Sequence, residues 1–342
     1  MIDNDGPGSD LPLVWVLATG GTIASSGGSP TDLSNYSVGT LTGDDLINAV
    51  PAIGQLARIM VEPIANVFSS DLTTSHWLTL SRRINEILSA DPSVAGVVVT
   101  HGTNTLEETA YFLNLTVKDD RPVVMVGAMR PATAISADGP LNLYNAIRTA
   151  IAPEARGKGA LIVLNDAINS ARDATKANTY RVETFRAPEL GLLGQIDGDL
   201  VSFYHSSTRR HTARTEFDVR ALASLPKVEI VYSYVESDPA IIGAIVTTGA
   251  KGIVFAAGGA GVLSSAEKAA VRRIGQLPPN SRPVLVLSSR VGNGRVIPRT
   301  EYDELGMVPA DNLNPQKARV LLMLALTQTH DLQEIRRMFA EY

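Results

Sequence analysis

The sequence predicts an α/β protein with two domains. We expect a larger N-terminal domain with a doubly wound, mainly parallel sheet and a smaller C-terminal parallel α/β domain. Short apolar runs recur along the chain, and each is followed by glycine or polar residues and then by a segment with helical spacing. Strands that are apolar on both sides are typical of a parallel sheet covered by helices. The length of 342 residues allows a sizeable core in each domain.

The elements of the first domain follow from these patterns. Buried strands are expected at residues 13–18, 94–100, 123–127 and 161–164. Apolar residues at helical spacing predict helices over 77–88, 106–115 and 141–151. Thr105 and Glu108 stand at the spacing of a capping box, which places a helix start directly after the second strand.

A second series of elements begins near residue 228. Strands are expected at 228–234, 252–257 and 284–287, and helices at 240–248, 265–274, 315–327 and 332–339. Ser264 and Glu267 form another capping-box pattern, and Asp331 is placed to cap the last helix. The stretch before this series is polar and ends near Pro226. We therefore expect domains at 1–211 and 228–342, joined by a linker at 212–227.

Composition excludes several classes of function. The formal net charge of -5 provides no positive field for nucleic acid or for an anionic membrane surface. The chain has no cysteine, so disulfides, thiolate nucleophiles and thiolate metal sites are excluded. No apolar run approaches the roughly 20 residues that span a bilayer. Neither a nucleic acid nor a membrane is expected as a partner.

Candidate functional residues are sought at the carboxyl ends of the strands, where open parallel sheets bind ligands. The first strand runs into TGGT at 19–22. Glycines at this turn allow close approach to a ligand and leave Thr22 at the sheet edge. A purely structural Gly-Gly turn would have the same sequence. The spacing is neither that of a dinucleotide fingerprint nor that of a phosphate-binding loop.

The second strand ends in HGTNT at 101–105, again with hydroxyls beside a glycine at a helix start. Amides at a helix N-terminus favour a carboxylate or a developing oxyanion. Alternatively, these polar side chains only cap the helix, and His101 is a structural residue of the strand end. Lys176 follows the fourth strand among polar residues, where a lysine with a lowered pKa can act as a base. A surface lysine is the simpler interpretation of Lys176 alone.

Other catalytic arrangements are missing from the sequence. There is no G-x-S-x-G nucleophile motif. The five histidines show neither H-E-x-x-H nor H-x-H spacing, so no histidine metal site is expected. A hydrolase with this sequence would have to use threonine as its nucleophile.

Together these segments resemble a known family. ATGGTIA at 18–24 and THGTNTLEET at 100–109 are similar to the two signature segments of bacterial type II L-asparaginases. The resemblance continues at 126–131, 136–142, 172–176 and 313–319, and so covers essentially the whole chain. It implies two α/β domains and a homotetramer built from tight dimers, whose sites are completed by a neighbouring subunit. It also implies a small amide substrate and neither a metal nor an organic cofactor.

The resemblance also implies roles for individual residues. L-asparagine would be hydrolysed to L-aspartate and ammonia through an acyl-threonine. Thr22 would be the nucleophile, and Tyr36 would assist its deprotonation. Thr103 and Lys176 would form a second hydroxyl–amine pair that activates water or the nucleophile. Residues expected to contact the substrate are Gly21, Ser69, Ser70, Gly102, Asn104, Ala128 and, from the neighbouring subunit, Glu301.

The sequence departs from the family at three positions. Asn104 stands where the family has aspartate, Ser70 where it has glutamine or glutamate, and Val262 where a loop often carries a polar residue. In relatives the first two positions bind the substrate α-ammonium group. Losing a charge-assisted hydrogen bond of about 1.5–3 kcal/mol would weaken that recognition roughly ten- to a hundredfold. A neutral residue 104 should also favour neutral Lys176, which would be a better base but less firmly oriented.

Three functions are compatible with these departures. The chain is an asparaginase with a weakening substitution, natural or engineered, or an amidase for an amide that lacks a free α-ammonium group. The third is a non-catalytic, asparaginase-like binding or regulatory protein. A binding protein has no use for the retained set Thr22, Tyr36, Thr103 and Lys176.

The location of the protein depends on how its N-terminus arises. Residues 1–6 are acidic and polar, unlike the basic start and apolar centre of a signal peptide. The resemblance implies a periplasmic protein if the chain is a mature form from which a leader was removed. Otherwise we expect a cytoplasmic protein.

Overall fold

A computed structural model of the chain describes residues 11–37 and 39–342. The chain divides into two compact units, Met1–Arg220 and Ala221–Tyr342, and each unit has its own main sheet. The first unit has a large, mainly parallel sheet and the second has a smaller parallel sheet. This architecture confirms the predicted fold class. The predicted limits of the domains and of the linker at 212–227 stay a prediction.

The first unit contains most of the secondary structure. Its strands within the described residues are β1 (Leu13–Gly20), β2 (Ser26–Gly27), β3 (Tyr36–Ser37), β4 (Arg58–Val67), β5 (Val94–Thr100), β6 (Val123–Val126), β7 (Ala160–Leu164), β8 (Ala167–Ser170), β9 (Thr175–Lys176), β10 (Phe185–Arg186), β11 (Gly194–Asp197) and β12 (Leu200–Phe203). Its helices within the same residues are α1 (Gly43–Asn48), α2 (Thr74–Ala90), α3 (Leu106–Thr116) and α4 (Gly139–Ile151).

The large sheet reverses its strand order at β1. The order is β12-β11-β8-β7-β6-β5-β1-β4, and the strands from β4 to β7 are parallel while β8, β11 and β12 are antiparallel to their neighbours. The chain passes from β1 to β4 at one edge and then returns to β5 on the other side of β1. Such a reversal opens a crevice beyond the carboxyl ends of the strands, and ligands bind there in open α/β sheets.

Helices cover both faces of this sheet. Val14 and Val16 of β1 belong to a buried cluster with Ile147 of α4 on one face. Because successive strand residues point to opposite faces, Trp15 lies on the other face. There the guanidinium of Arg83 from α2 lies 5.2 Å from the centre of the Trp15 ring. The sheet is therefore apolar on both sides, which explains the uninterrupted apolar runs of its central strands.

The second unit is a four-stranded parallel sheet with helices. Its strands are β13 (Val228–Tyr232), β14 (Gly252–Ala257), β15 (Val284–Ser289) and β16 (Met307–Pro309), in that spatial order. Its helices are α5 (Ala240–Thr247), α6 (Ser265–Gly275), α7 (Thr300–Glu304), α8 (Pro315–Ala325) and α9 (Leu332–Glu341). The predicted capping box of α6 and the predicted Asp331 cap of α9 are confirmed by hydrogen bonds from backbone amides.

One local expectation is wrong, and one strand was missed. The Thr105 side chain makes no capping hydrogen bond to α3; its hydroxyl donates to the Ser69 carbonyl oxygen at 2.7 Å. The edge strand β4 was not expected from the sequence. Its residues are half-buried or exposed and include Pro63, so it lacks the buried apolar run of the central strands. Its pairing with β1 brings Ser69 to the end of the sheet.

Candidate active site

The ends of β1 and β5 and the turns that follow them are in direct contact. The Thr19 hydroxyl donates to the Thr100 carbonyl oxygen at 2.9 Å. Gly21 has a φ of +88°, and a Cβ added to it would lie only 2.3 Å from the Gly102 Cα. A side chain at Gly21 is therefore excluded both by backbone conformation and by space. The two glycines allow segments far apart in sequence to meet in the crevice beside β1.

Thr22 is held next to a phenol. It begins a short 3₁₀ turn after Gly21 and is 8% exposed. Its Oγ1 lies 3.0 Å from the Tyr36 hydroxyl oxygen, within hydrogen-bonding distance. The strands β2 and β3 pair as an antiparallel ladder in which Gly27 lies opposite Tyr36. This ladder returns the chain to the end of β1 and places the phenol against Thr22.

The loop after β6 supports that ladder. Gly27 donates its amide to the Thr133 hydroxyl at 2.8 Å, and the Ala132 amide donates to the Ser25 carbonyl at 2.8 Å. The start of this loop is fixed by Asp138, whose carboxylate accepts from the Met129 amide at 2.9 Å. These bonds join the segment that follows Thr22 to a single loop.

Thr103 is held next to an amine. The Lys176 ammonium donates to Thr103 Oγ1 at 2.9 Å and to Asn104 Oδ1 at 3.1 Å. Thr103 is 5% exposed, whereas the Asn104 side chain is exposed. Burial of Lys176 lowers the pKa of its amine, and the nearby Glu107 carboxylate opposes that decrease. A lowered pKa increases the fraction of neutral amine, the form that can accept a proton.

Glu107 is a residue that the sequence analysis missed. It lies in the first turn of α3 and is only 4% exposed. Its Oε2 accepts the backbone amide of Lys176 at 2.6 Å. Acidic residues are common in the first turn of a helix, so the sequence indicated only that Glu107 lies near the start of α3. It did not indicate a contact with Lys176.

The two serines after β4 occupy different environments. Ser69 is buried, and a Cβ on Gly102 would lie 2.8 Å from its Oγ. Its side chain therefore lies against the same glycine turn that Gly21 contacts. Ser70 is exposed. The structure brings Ser69 to the site through Gly102 and leaves the Ser70 side chain accessible to solvent.

His101 and Ala128 form part of the buried surroundings. His101 Nδ1 lies 2.7 Å from the Gly102 carbonyl oxygen, and burial lowers the pKa of the imidazole to about 4. The ring is therefore neutral near neutral pH. Ala128 is fully buried, and a Cβ added to Gly139 would lie 3.4 Å from its Cβ. Both side chains are fully buried.

Glu301 and Val262 belong to the second unit. Glu301 lies on α7 and forms an ion pair with the Lys268 ammonium at 2.8 Å and a longer one with Arg272 at 3.9 Å. The Val262 side chain is exposed. The remaining predicted site residues belong to the first unit.

The first unit therefore has two threonine hydroxyls, each of which has a hydrogen-bonding partner that can take part in proton transfer. Threonine hydroxyls are poor nucleophiles at neutral pH and become effective when an adjacent group takes the proton. An open cleft of about 280 Å³ lies beside the second pair and is lined by Asn104, Lys176 and residues 177–179. This arrangement suits acyl transfer to a hydroxyl.

Residues 11–37 and 39–342 were compared with the requirements of a metal site and of a membrane-spanning helix. No group of three or more His, Asp or Glu side chains in these ranges could hold a metal ion. None of the helices formed by these residues is long and apolar enough to cross a membrane.

Comparison with known proteins identifies related sequences along nearly the whole chain. The family model "Asparaginase, N-terminal" matches residues 13–209, and "Glutaminase/Asparaginase C-terminal domain" matches residues 227–339. L-asparaginase 2 of Bacillus subtilis is 51% identical over 334 residues, covering 97% of this chain and 87% of that protein. A Haemophilus influenzae protein named "Probable L-asparaginase periplasmic" is 45% identical over 341 residues, covering 98% of this chain and 94% of that protein.

A solved structure has the same fold. The crystal structure titled "Probable Cytoplasmic L-asparaginase from Campylobacter jejuni" matches with a TM-score of 0.93 and 45% identity. The match covers 97% of this chain and 100% of that chain. The fold and the matched models thus define an amidohydrolase with two α/β domains. The chain belongs to the asparaginase family, which confirms the resemblance seen in the sequence and the prediction of an amidohydrolase.

Proposed function

We propose that this protein hydrolyses the side-chain amide of L-asparagine to L-aspartate and ammonia, with Thr22 as the nucleophile. The observation that carries the proposal is the 3.0 Å contact between Thr22 Oγ1 and the Tyr36 hydroxyl at the end of β1. Thr22 lies at the point where the sheet reverses its strand order, the position where open α/β sheets bind ligands. Its partner is a hydroxyl that can take part in proton transfer.

In the first half of the reaction, Thr22 Oγ1 attacks the amide carbon. The Tyr36 hydroxyl assists removal of the Thr22 proton, the C–N bond breaks, and the nitrogen leaves as ammonia after gaining a proton. The acyl group remains on Thr22. In the second half, a water molecule attacks the acyl carbon and Lys176 takes a proton through Thr103, as their 2.9 Å contact supports. Thr22 regains its proton and L-aspartate is released.

The same crevice supplies the binding groups. Ser69 lies against Gly102 and is proposed to bind the substrate α-carboxylate. Backbone amides near Gly21, Gly102 and Ala128 are proposed to hold the substrate and its developing oxyanion, since fixed amide dipoles stabilise such charge. Asn104 and Ser70, both exposed, are proposed to meet the α-ammonium group.

Trapping an acyl-enzyme tests the assignment of the nucleophile. Enzyme mixed with a slow substrate and quenched in acid should carry the acyl mass on Thr22 when digested and analysed by mass spectrometry. Thr22→Ala should lack the adduct and lose turnover. Thr103→Ala keeps Thr22 and should accumulate the adduct, because the second half of the reaction is slowed. Near-normal turnover by Thr22→Ala, or an adduct on Thr103, would exclude this mechanism.

A second candidate function is hydrolysis of an amide that lacks a free α-ammonium group. It is favoured by the neutral side chains of Asn104 and Ser70, which leave no carboxylate at the two positions proposed to meet that group. Nucleophile and proton acceptors would be the same in both cases. The two candidates therefore differ only in the preferred substrate, and an exchange at residue 104 separates them.

Assembly and location are further parts of the proposal. We propose a homotetramer of tight dimers in which Glu301, carried by the second unit, completes the site of a neighbouring subunit. Relatives are named as periplasmic in one case and cytoplasmic in another, so both locations occur in the family. We propose the periplasm for a mature form of this chain and the cytoplasm otherwise.

A further inference from the structure

A buried carboxylate lies behind the amine of the second hydroxyl pair. Glu107 is 4% exposed, and its Oε2 accepts the Lys176 backbone amide at 2.6 Å. This amide belongs to the two-residue strand β9, which forms a two-stranded ribbon with the equally short β10. A hydrogen bond from outside the ribbon therefore fixes the residue that bears the amine. Glu107 lies in the first turn of α3, the end of a helix where acidic side chains are stabilising.

The side chains that touch the Lys176 amine are uncharged. Its contacts are Thr103 Oγ1 at 2.9 Å and Asn104 Oδ1 at 3.1 Å. Burial lowers the pKa of Lys176, and Glu107 is the charged group that raises it. The negative charge that stabilises the Lys176 ammonium thus belongs to Glu107, one helical turn beyond residue 104.

Two pairs of opposite charges lie on this segment and its partner strand. Along the chain before Lys176, the Arg172 guanidinium contacts the Asp173 carboxylate at 3.0 Å. On the partner strand β10, Arg186 contacts Glu183 at 2.9 Å. Each pair carries no net charge, and Glu107 is the charged group that acts on the pKa of Lys176.

We propose that Glu107 is the positioning residue of the second hydroxyl pair, supplying the negative charge that the side chain of residue 104 lacks. It holds the Lys176 backbone in place and stabilises the ammonium that forms when the amine takes a proton from Thr103 or water. A carboxylate behind the base has the same two tasks in serine hydrolases, where it orients the base and stabilises its protonated form. This inference rests on the proposed function, because it requires Lys176 to act as a base.

The pH dependence of kcat/KM tests the inference in the full-length enzyme. Glu107→Gln keeps an oxygen that can accept the Lys176 amide but removes the charge. Without that charge the Lys176 pKa falls, so the amine stays neutral to lower pH and the acid limb of the profile moves to lower pH. We also expect kcat to fall about tenfold with KM unchanged, as for loss of one charge-assisted contact.

Two further variants separate this effect from a general one. Glu108→Gln removes the same charge from the same helical turn, and its acid limb should stay at the native position. Glu107→Asp keeps the charge, but the shorter side chain places the carboxylate farther from the Lys176 backbone amide. Its acid limb should lie closer to the native one than that of Glu107→Gln, and its kcat should be reduced. If Glu107→Gln does not fold, a native kcat in Glu107→Asp would overturn the inference.

Other outcomes would also overturn the inference. The variant Lys176→Met shows whether the proposed function or only the inference is refuted. A Glu107→Gln profile that superimposes on the native one, or an equal displacement in Glu108→Gln, excludes a specific role for Glu107. Lys176→Met should be inactive. Native turnover by Lys176→Met would refute the proposed function and, with it, the inference. Inactive Lys176→Met together with an unchanged Glu107→Gln profile would refute the inference alone.

Discussion

Restoring a carboxylate at residue 104 is the sharpest test of substrate recognition. Asn104→Asp changes one amide group into a charged group of the same shape. The new carboxylate would lie near the Lys176 amine, since Asn104 Oδ1 is now 3.1 Å from it. It would also offer a counter-charge to a substrate ammonium at the proposed binding position. The two effects act on different quantities and can be measured separately.

The expected magnitude follows from the exposure of the side chain. A neutral hydrogen bond contributes about 0.5–1.5 kcal/mol and one to a charged group about 1.5–3 kcal/mol. The gain is then about 1–1.5 kcal/mol, or roughly five- to tenfold in rate. Because Asn104 is exposed and solvent screens the new charge, the gain should lie at or below the lower limit of the ten- to hundredfold range. We expect kcat/KM for L-asparagine to rise about tenfold or somewhat less.

The effect on Lys176 has a predictable sign. A carboxylate at residue 104 favours the ammonium form and raises the Lys176 pKa, which burial now lowers. The amine would become protonated at higher pH than in the native enzyme, so the acid limb of the activity profile should move to higher pH. Rates must therefore be compared on the alkaline side of both limbs, where Lys176 is neutral in both enzymes.

The assay measures ammonia release from L-asparagine and from succinamate, which lacks the α-amino group. Asn104→Asp should improve the first substrate and leave unchanged or impair the second, since succinamate cannot pair with the new charge. Asn178→Asp is the matched control. Asn178 lines the same cleft, and its Oδ1 accepts two backbone amides that a carboxylate would also satisfy. This variant adds a charge to the cleft without placing it on the Lys176 amine.

The result also decides between the two candidate substrates. A native enzyme that prefers succinamate, and whose activity on it falls in Asn104→Asp, would establish the amide without an ammonium group as the substrate. Equal changes for both substrates on the alkaline side would show that residue 104 acts through Lys176. Both accounts of ammonium recognition would then be refuted.

Two more predictions concern the frame of the site and its assembly. Gly21→Ala should lower the free energy of unfolding by about 2 kcal/mol or more and abolish turnover, because its Cβ would lie 2.3 Å from the Gly102 Cα at a φ of +88°. Gly54→Ala, where no atom lies within 4 Å of the added Cβ, should be nearly neutral in the same chemical denaturation assay. Dilution should abolish turnover in parallel with tetramer dissociation in analytical ultracentrifugation, and a fully active monomer would contradict the shared site.

The parts of the site that the sequence could predict lie at the ends of central strands. Thr22 and Thr103 follow apolar runs that are buried on both faces, and each stands beside a glycine that permits close approach. Their position could therefore be inferred from the general behaviour of parallel sheets. The role of Tyr36 came from the family resemblance, and the resemblance also favoured a base over a surface lysine at Lys176, because strands of only two residues have no periodicity to detect.

The parts that could not be predicted depend on contacts between distant segments. The pattern of Thr105 and Glu108 suggested a local cap, but the Thr105 hydroxyl contacts the Ser69 carbonyl in a segment more than thirty residues away. Glu107 likewise meets Lys176 across 69 positions in the sequence. An N-terminal helical turn offers its polar side chains several partners, and only the packed fold selects among them.

The site has a buried part, which contains the reacting hydroxyls, and an exposed part at its rim, and the two can change independently in evolution. The hydroxyls of Thr22 and Thr103 are nearly buried and follow neighbouring strands, so their separation depends on the strand spacing of about 4.8 Å more than on either loop. Residues 70 and 104 lie exposed at the rim. Mutations there can change which amides are accepted while the reacting groups keep their geometry. Because strand pairing fixes the reacting groups, substrate specificity can change in evolution while the catalytic mechanism is retained.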